Sequence, residues 1–384
     1  MNRELKSSEG NVHLYRAIVR SLQKPLCVLL TNLSAYLSPL LALPAVSPTT
    51  TLNPTQIHAL AIATFAAELL EKFQELTYDG RINGLMDIRE GLISLVTRVT
   101  NYLVSGLKNE LMQLVDALEV PTTDTYSKNA SKTVIYHPSV VALQTMLPLY
   151  IRHLTRCATF ADTQHILATL LISTVWRAIV ALAHRPRQTQ TSQMTGITKN
   201  RSPIITPPVT PPPSRFAIRL PPSRPSSPHV QPVIASTAAD AHALYELLCQ
   251  LPRPTGESGS IRLAGEAVDE AFNSLKALGE LLGEAEIASR EANPIFKLAH
   301  NTLDLPLLIV LPVLLQYWSW VTHFSIANMV GLSDQEYRKV CLSGFGRAEE
   351  CEAVVAQRVL DTLWEDTKVN PNVVEWIENE ILAD

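Results

Sequence analysis

Four hydroxyl side chains in this sequence stand directly before a proline: Ser202, Thr206, Thr210 and Ser227. That dipeptide is the minimal signal for a proline-directed kinase, and each phosphate added there brings nearly two negative charges and three strong acceptor oxygens. The same stretch places Arg219, Pro222 and Pro225 in an R-x-x-P-x-x-P pattern. This is the form of a ligand for a polyproline-binding module, with the arginine directed at the acidic rim of an aromatic groove. Just upstream, Arg215, Ile218 and Leu220 set a basic residue ahead of spaced aliphatics, in the manner of kinase-docking peptides. Both patterns arise readily in any basic, proline-rich stretch. The competing reading is a tether whose only requirement is to remain unfolded.

Elsewhere the chemistry-bearing residues are dispersed. A phosphate-cradling loop needs clustered glycines ahead of a helix, and the closest approach, Gly344-Phe345-Gly346, lacks the lysine and reads as a turn between helices. No His-Glu-x-x-His pattern occurs, and His300 with Asp304 makes one pair rather than a ligand set, so neither a metal nor a cofactor is expected. No strand-turn-helix nucleophile elbow is present, and no catalytic residue is assigned. Cys341 and Cys351 flank the Gly344 turn near Lys339 and Arg347, cations that favour a thiolate, although ordinary buried thiols are the commoner case. One polar stripe, Gln316, Ser319 and His323, recurs at helical spacing on an apolar segment and is where a helical enzyme would line a pocket.

Composition bounds the elements that position these residues. The chain has 384 residues, 46% of them apolar, with 32 basic against 36 acidic groups. That excludes a wholly disordered chain and a generically basic nucleic-acid binder. Five scattered cysteines without a C-x-x-C pair exclude a disulfide scaffold and suit a cytoplasmic or nuclear protein. The charge is unevenly distributed. Residues 1–184 carry 15 basic and 13 acidic groups, residues 185–235 carry 7 and none, and the remainder carries 10 and 23. A basic stretch tethered to an acidic region is drawn to it by charge and by high effective concentration.

Helical periodicity dominates on both sides of the proline-rich stretch. Asn53-Pro54 opens a helix continuing through Leu76, and Leu92, Val96, Val99, Leu103, Leu107, Leu111, Leu114 and Leu118 step by threes and fours. Gly91 and Gly106 predict a kink or break in that second helix. Two densely apolar helices follow, over 139–156 and 162–184. Beyond the prolines, helices are expected over 238–251, 264–282, 293–300 and 348–364. Ser333-Asp-Gln-Glu336 forms a capping box, and Asn370-Pro371 opens a terminal helix. That last helix sets Trp376, Ile377 and Ile381 beside glutamates, a face able either to enter a partner's groove or to close its own core. Leu305 to Leu332 lacks Asp, Glu, Lys and Arg over a length able to span a bilayer, although Pro312 interrupts it.

The expected fold is therefore all-α, an irregular helical bundle or a set of stacked helix pairs. It comprises an N-terminal helical region (1–184), a disordered basic Pro/Ser/Thr-rich linker (185–236) and an acidic C-terminal helical region (237–384). The periodicity does not decide whether the two helical regions share one core. The expected function is that of a non-enzymatic scaffold or adaptor for protein partners, its linker regulated by proline-directed phosphorylation. The alternatives are a protein anchored in an intracellular membrane through residues 305–332 and a helical enzyme with a pocket at Gln316, Ser319 and His323. Nucleic acid is not an expected partner, because the linker has one aromatic, Phe216, for stacking.

Overall fold

The computed structural model describes residues 12–42, 54–76, 85–121, 136–158, 163–187, 236–256, 259–291, 305–318, 325–365 and 371–383. Among these the fold is all-α: helices and turns, with no strand. The helices are α1 (Val12–Leu41), α2 (Pro54–Leu76), α3 (Met86–Asp116), α4 (Pro138–Ala158), α5 (Gln164–Ala183) and α6 (Thr237–Leu248), continuing with α7 (Gly259–Glu291), α8 (Leu307–Trp318), α9 (Ile326–Met329), α10 (Asp334–Val340), α11 (Phe345–Glu365) and α12 (Pro371–Ala383).

The leucine and valine stripe of α3 organises the molecule. Its first half, from Ile88 to Leu103, packs with α1 and α2 in a smaller core. There α2 presents Ala59, Ala63, Ala66 and Ala67, small residues at helical spacing that let α2 and α3 approach closely. The second half, from Val104 to Val115, belongs to a larger core that also contains α4 to α8 and α10 to α12. This core takes residues from both sides of the proline-rich stretch without interruption, from Val104 to Ala183 and from Ala238 to Ile377. Of the kink or break expected at the glycines of α3, the break does not occur, since one helix runs from Met86 to Asp116. Gly91 instead makes room for Leu30 of α1, whose Cδ2 would lie 2.3 Å from a β-carbon at that position.

Two helices are predominantly apolar, and both are central; α5 keeps only a narrow exposed stripe of His165, Thr169 and Arg177. In α5, fourteen residues from Gln164 to Ala183 are buried, and α8 buries every residue from Leu308 to Leu315. A helix with so narrow a polar stripe is stable in water only when most of its surface is covered, and α3, α7 and α8 pack around α5 in this way. The Glu352 carboxylate, from α11, accepts the Leu307 N–H at 3.1 Å and so satisfies one of the unpaired amides opening α8.

Of residues 305–332 the structure describes 305–318 and 325–332. Helix α8 covers 12 described residues, fewer than a bilayer span needs, and the four-residue α9 ends at a glycine cap. Gly331 has φ of 74°, with its N–H on the Asn328 carbonyl (3.1 Å) and the Leu332 N–H on that of Ala327 (2.9 Å). This is a Schellman arrangement that stops the helix. The Ser333–Glu336 capping box then starts α10 as expected. The one described helix long and apolar enough to cross a membrane is α5, and 72% of its most apolar window is buried in the fold.

His184, the cap residue after α5, lies against Tyr337 of α10 with ring centroids 6.4 Å apart. Its Nδ1–H donates to the Val180 carbonyl at 2.9 Å, while its Nε2 is buried without a hydrogen-bond partner among the described residues. Burial pushes the ring down to about 4, helped by Arg338 and opposed by the Val180 bond. The folded value lies below that of an unfolded histidine. The stability tied to it is therefore complete above pH ~6.5 and is lost as the pH falls towards ~4, a contribution on the order of 3 kcal/mol. His184→Gln is expected to narrow the difference in unfolding free energy between pH 7 and pH 4.5 by about 2 kcal/mol in urea titrations. An unchanged difference would assign the acid sensitivity to other groups.

Candidate functional site

The two roots of the linker meet in a buried polar cluster. Arg185, just after α5, and Asp240, in the first turn of α6, form an ion pair at 2.6 Å with side chains 4% and 1% exposed. The other Asp240 oxygen accepts the His137 backbone N–H at 2.9 Å. The His137 ring accepts the Ser139 N–H at Nδ1 (3.2 Å), which places its own proton on Nε2, directed at the Val120 carbonyl (3.1 Å). These partners fit the neutral ring. Burial, and secondarily the Arg185 charge, lowers its pKa in the same sense. Ser236 caps α6 by accepting the Ala239 N–H at 3.2 Å. The buried carboxylate is thus fully used, holding the start of α4, the end of α5 and the start of α6 together.

A consequence follows for the linker charge. Of its seven basic groups, Arg185 is consumed in this buried pair, and the Arg187 guanidinium lies 4.6 Å from the centre of the Tyr317 ring of α8. The charge of the stretch beyond Arg187 therefore rests on Lys199, Arg201, Arg215, Arg219 and Arg224.

The roots are also close enough to be joined by a short connection. Replacing residues 188–235 by an eight-residue Gly/Ser loop, which spans up to about 26 Å, is expected to preserve the fold. It should raise unfolding stability by about 1–2 kcal/mol, because shortening a connection roughly sixfold lowers its closure entropy. A fall in stability in urea titration would mean that the linker itself contributes to the core.

The opposite charge is concentrated in an open groove of about 600 Å³ between α7, the start of α8 and the start of α11. Glu266, Asp269, Glu270, Glu349 and Glu352 line it together with Phe345, Leu305 and Pro306. Asp269 pairs with Arg253, Glu266 with Arg262 (3.6 Å), and Glu352 is occupied at Leu307. Glu270 and Glu349 have no cationic partner among the described residues. Phe345 is fixed by the Trp176 ring, 4.5 Å away, and the Trp176 indole N–H donates to the Leu342 carbonyl at 2.8 Å. Helix α6 runs antiparallel along α7, with Ala238 beside Gly283 and His242 beside Gly279. The linker's exit thus lies about 14 Å along α7 from Ser274 at the near end of the groove. A flexible chain of 24 residues, half the length of 188–235, has a root-mean-square reach of about 27 Å, longer than that separation.

Ser202, Thr206, Thr210, Ser227, Arg215, Ile218, Arg219, Leu220, Pro222 and Pro225 lie outside the described residues, as do Ser319 and His323. Gln316, the described member of the polar stripe, donates to the Ala183 carbonyl at 3.3 Å, so it serves packing between α8 and α5. Trp376 and Ile377 do not form an outward docking face. They are buried in the larger core against α8 and α11, and Ile381 packs beside them half-buried. No group of three or more metal-ligating side chains occurs among the described residues. The polar root and the groove escape sequence reasoning because their members come from segments far apart in the chain. The concentration of acidic residues after 236 was the available signal for the groove.

Comparison with protein-family models, with curated proteins and with solved structures finds no match to this chain.

Proposed function

We propose that this chain is a non-enzymatic helical scaffold whose residues 188–235 are a removable ligand for its own acidic groove. In the unmodified protein the basic linker occupies the groove bordered by Glu270 and Glu349. Phosphorylation at Ser202, Thr206, Thr210 and Ser227 reverses the linker's charge, releases it and frees both surfaces for protein partners. The observation that carries this reading is the Arg185–Asp240 pair, which tethers both ends of the linker at one point of a continuous core. A basic segment held in this way experiences a high local concentration of the acidic surface, and charge decides whether it docks.

The test is quantitative co-purification of the full-length chain from its native cells. It compares wild type with the Ser202→Ala, Thr206→Ala, Thr210→Ala, Ser227→Ala quadruple variant and with the linker-shortened form. The reading predicts that partners of the linker are lost in both variants, whereas partners of the groove are lost in the alanine variant and retained or gained in the linker-shortened form. A partner set unchanged in both variants would overturn it.

A further inference from the structure

Outside the groove and the linker roots, two nucleophilic side chains, Cys341 and Cys351, are brought to the same corner of the fold. Cys341 follows α10 and is buried, while Cys351 sits in the second turn of α11 and is partly exposed. The Cys351 thiol points at the carbonyl of Val340, the residue bonded to Cys341, with Sγ 3.9 Å from that oxygen, which sets its sulfur beside the Cys341 backbone. The Arg347 side chain binds the same carbonyl through Nε at 2.8 Å while its Nη1 pairs with Glu350 at 2.7 Å, so the corner is held by one guanidinium. The connecting turn contains Gly344 and Gly346, neither of which has a neighbour within 4 Å of the β-carbon position, leaving the backbone room to adjust. Cys27 and Cys249 have no such thiol partner among the described residues; Cys249 has Arg253 at 3.5 Å.

We infer that Cys341 and Cys351 form a peroxide-oxidisable pair that closes to an intramolecular disulfide across the α10–α11 corner. The Cys351 thiolate attacks one peroxide oxygen, breaking the O–O bond. Sulfur is oxidised to a sulfenic acid, and hydroxide leaves and is protonated to water. The Cys341 sulfur then attacks the sulfenic sulfur. The S–S bond forms, the S–OH bond breaks, and the departing hydroxyl takes the Cys341 proton as a second water. Two thiols and one hydrogen peroxide thus give one disulfide and two waters. The order of steps follows from burial, which pushes the Cys341 thiol up to about 11 and leaves the more exposed Cys351 to meet the oxidant first. The bond would tie down the corner that carries Phe345, Glu349 and Glu352, one wall of the acidic groove.

The test treats the intact, reduced chain with a few equivalents of hydrogen peroxide, then alkylates the remaining thiols and maps tryptic peptides without reduction. Trypsin separates the two cysteines by cutting after Arg347, so the disulfide appears as peptides 340–347 and 348–358 joined with loss of two hydrogens. It is expected to form about tenfold faster than any oxidation of Cys27 or Cys249. In Cys341→Ser, Cys351 should accumulate as a sulfenic acid that dimedone traps. The inference is overturned if both cysteines of the wild type remain alkylatable, if Cys351 proceeds to sulfinic acid without a linked peptide, or if the pair oxidises no faster than Cys27 and Cys249. The wild-type map alone decides the matter, should a variant fail to fold.

Discussion

Replacing Asp240 by alanine is expected to lower the free energy of unfolding by about 3–5 kcal/mol, because it leaves the Arg185 guanidinium buried without its counter-charge. The substitution also removes the acceptor of the His137 N–H, so a second buried polar group loses its partner. Removing both charges together, in Arg185→Met with Asp240→Leu, should recover more than half of the loss, since apolar groups of similar volume need no compensation there. Urea unfolding at neutral pH measures both. A loss below about 1 kcal/mol for Asp240→Ala would show that the pair is solvated, and the linker would no longer be held at a single root.

The second large effect is expected at the linker. Full modification of Ser202, Thr206, Thr210 and Ser227 adds roughly six to eight negative charges, which takes the stretch beyond Arg187 from +5 to about −1 to −3. Docking by charge then becomes repulsion. Tryptic cleavage after Arg215 and Arg219 should accelerate about tenfold or more on phosphorylation by a proline-directed kinase. Raising the salt should mimic the effect in the unmodified chain, because exposed charges are screened within about 3 Å at molar ionic strength. Glu270→Lys with Glu349→Lys should do the same at low salt. Cleavage rates indifferent to phosphate, salt and groove charge would show that the linker does not dock.

How much of this was legible in the sequence depends on the range of the interactions. The helices were, because the 3.6-residue period of the α3 stripe, the Ser333–Glu336 capping box and Pro54 and Pro371 at helix starts are local signals. The absence of charge over 305–332 left a core helix and a membrane span both open, and in the fold Leu308 to Leu315 are buried. The stop after α9 was not foreseen, since it rests on one left-handed glycine whose conformation composition does not reveal. Gly91 misled in the opposite sense: in isolation it weakens a helix, whereas here it is a seat for Leu30. Trp376 and Ile377 could equally face inward or outward from their spacing, and only α8 and α11 decide the matter. The linker's charge was overcounted, because neither the burial of Arg185 with Asp240 nor the stacking of Arg187 on Tyr317 is visible along the chain. The candidate site is the least legible part for the same reason, its walls being drawn from α7, α8 and α11.

The most direct test of the account is to titrate a synthetic peptide of residues 197–229 into the linker-shortened protein by calorimetry at several salt concentrations. The account predicts one-to-one binding that weakens steeply with salt, disappears when the peptide is phosphorylated at Ser202, Thr206, Thr210 and Ser227, and disappears when Glu270 and Glu349 are replaced by lysine. Binding that ignores both the phosphates and the groove substitutions, or no binding even at low salt, would contradict it.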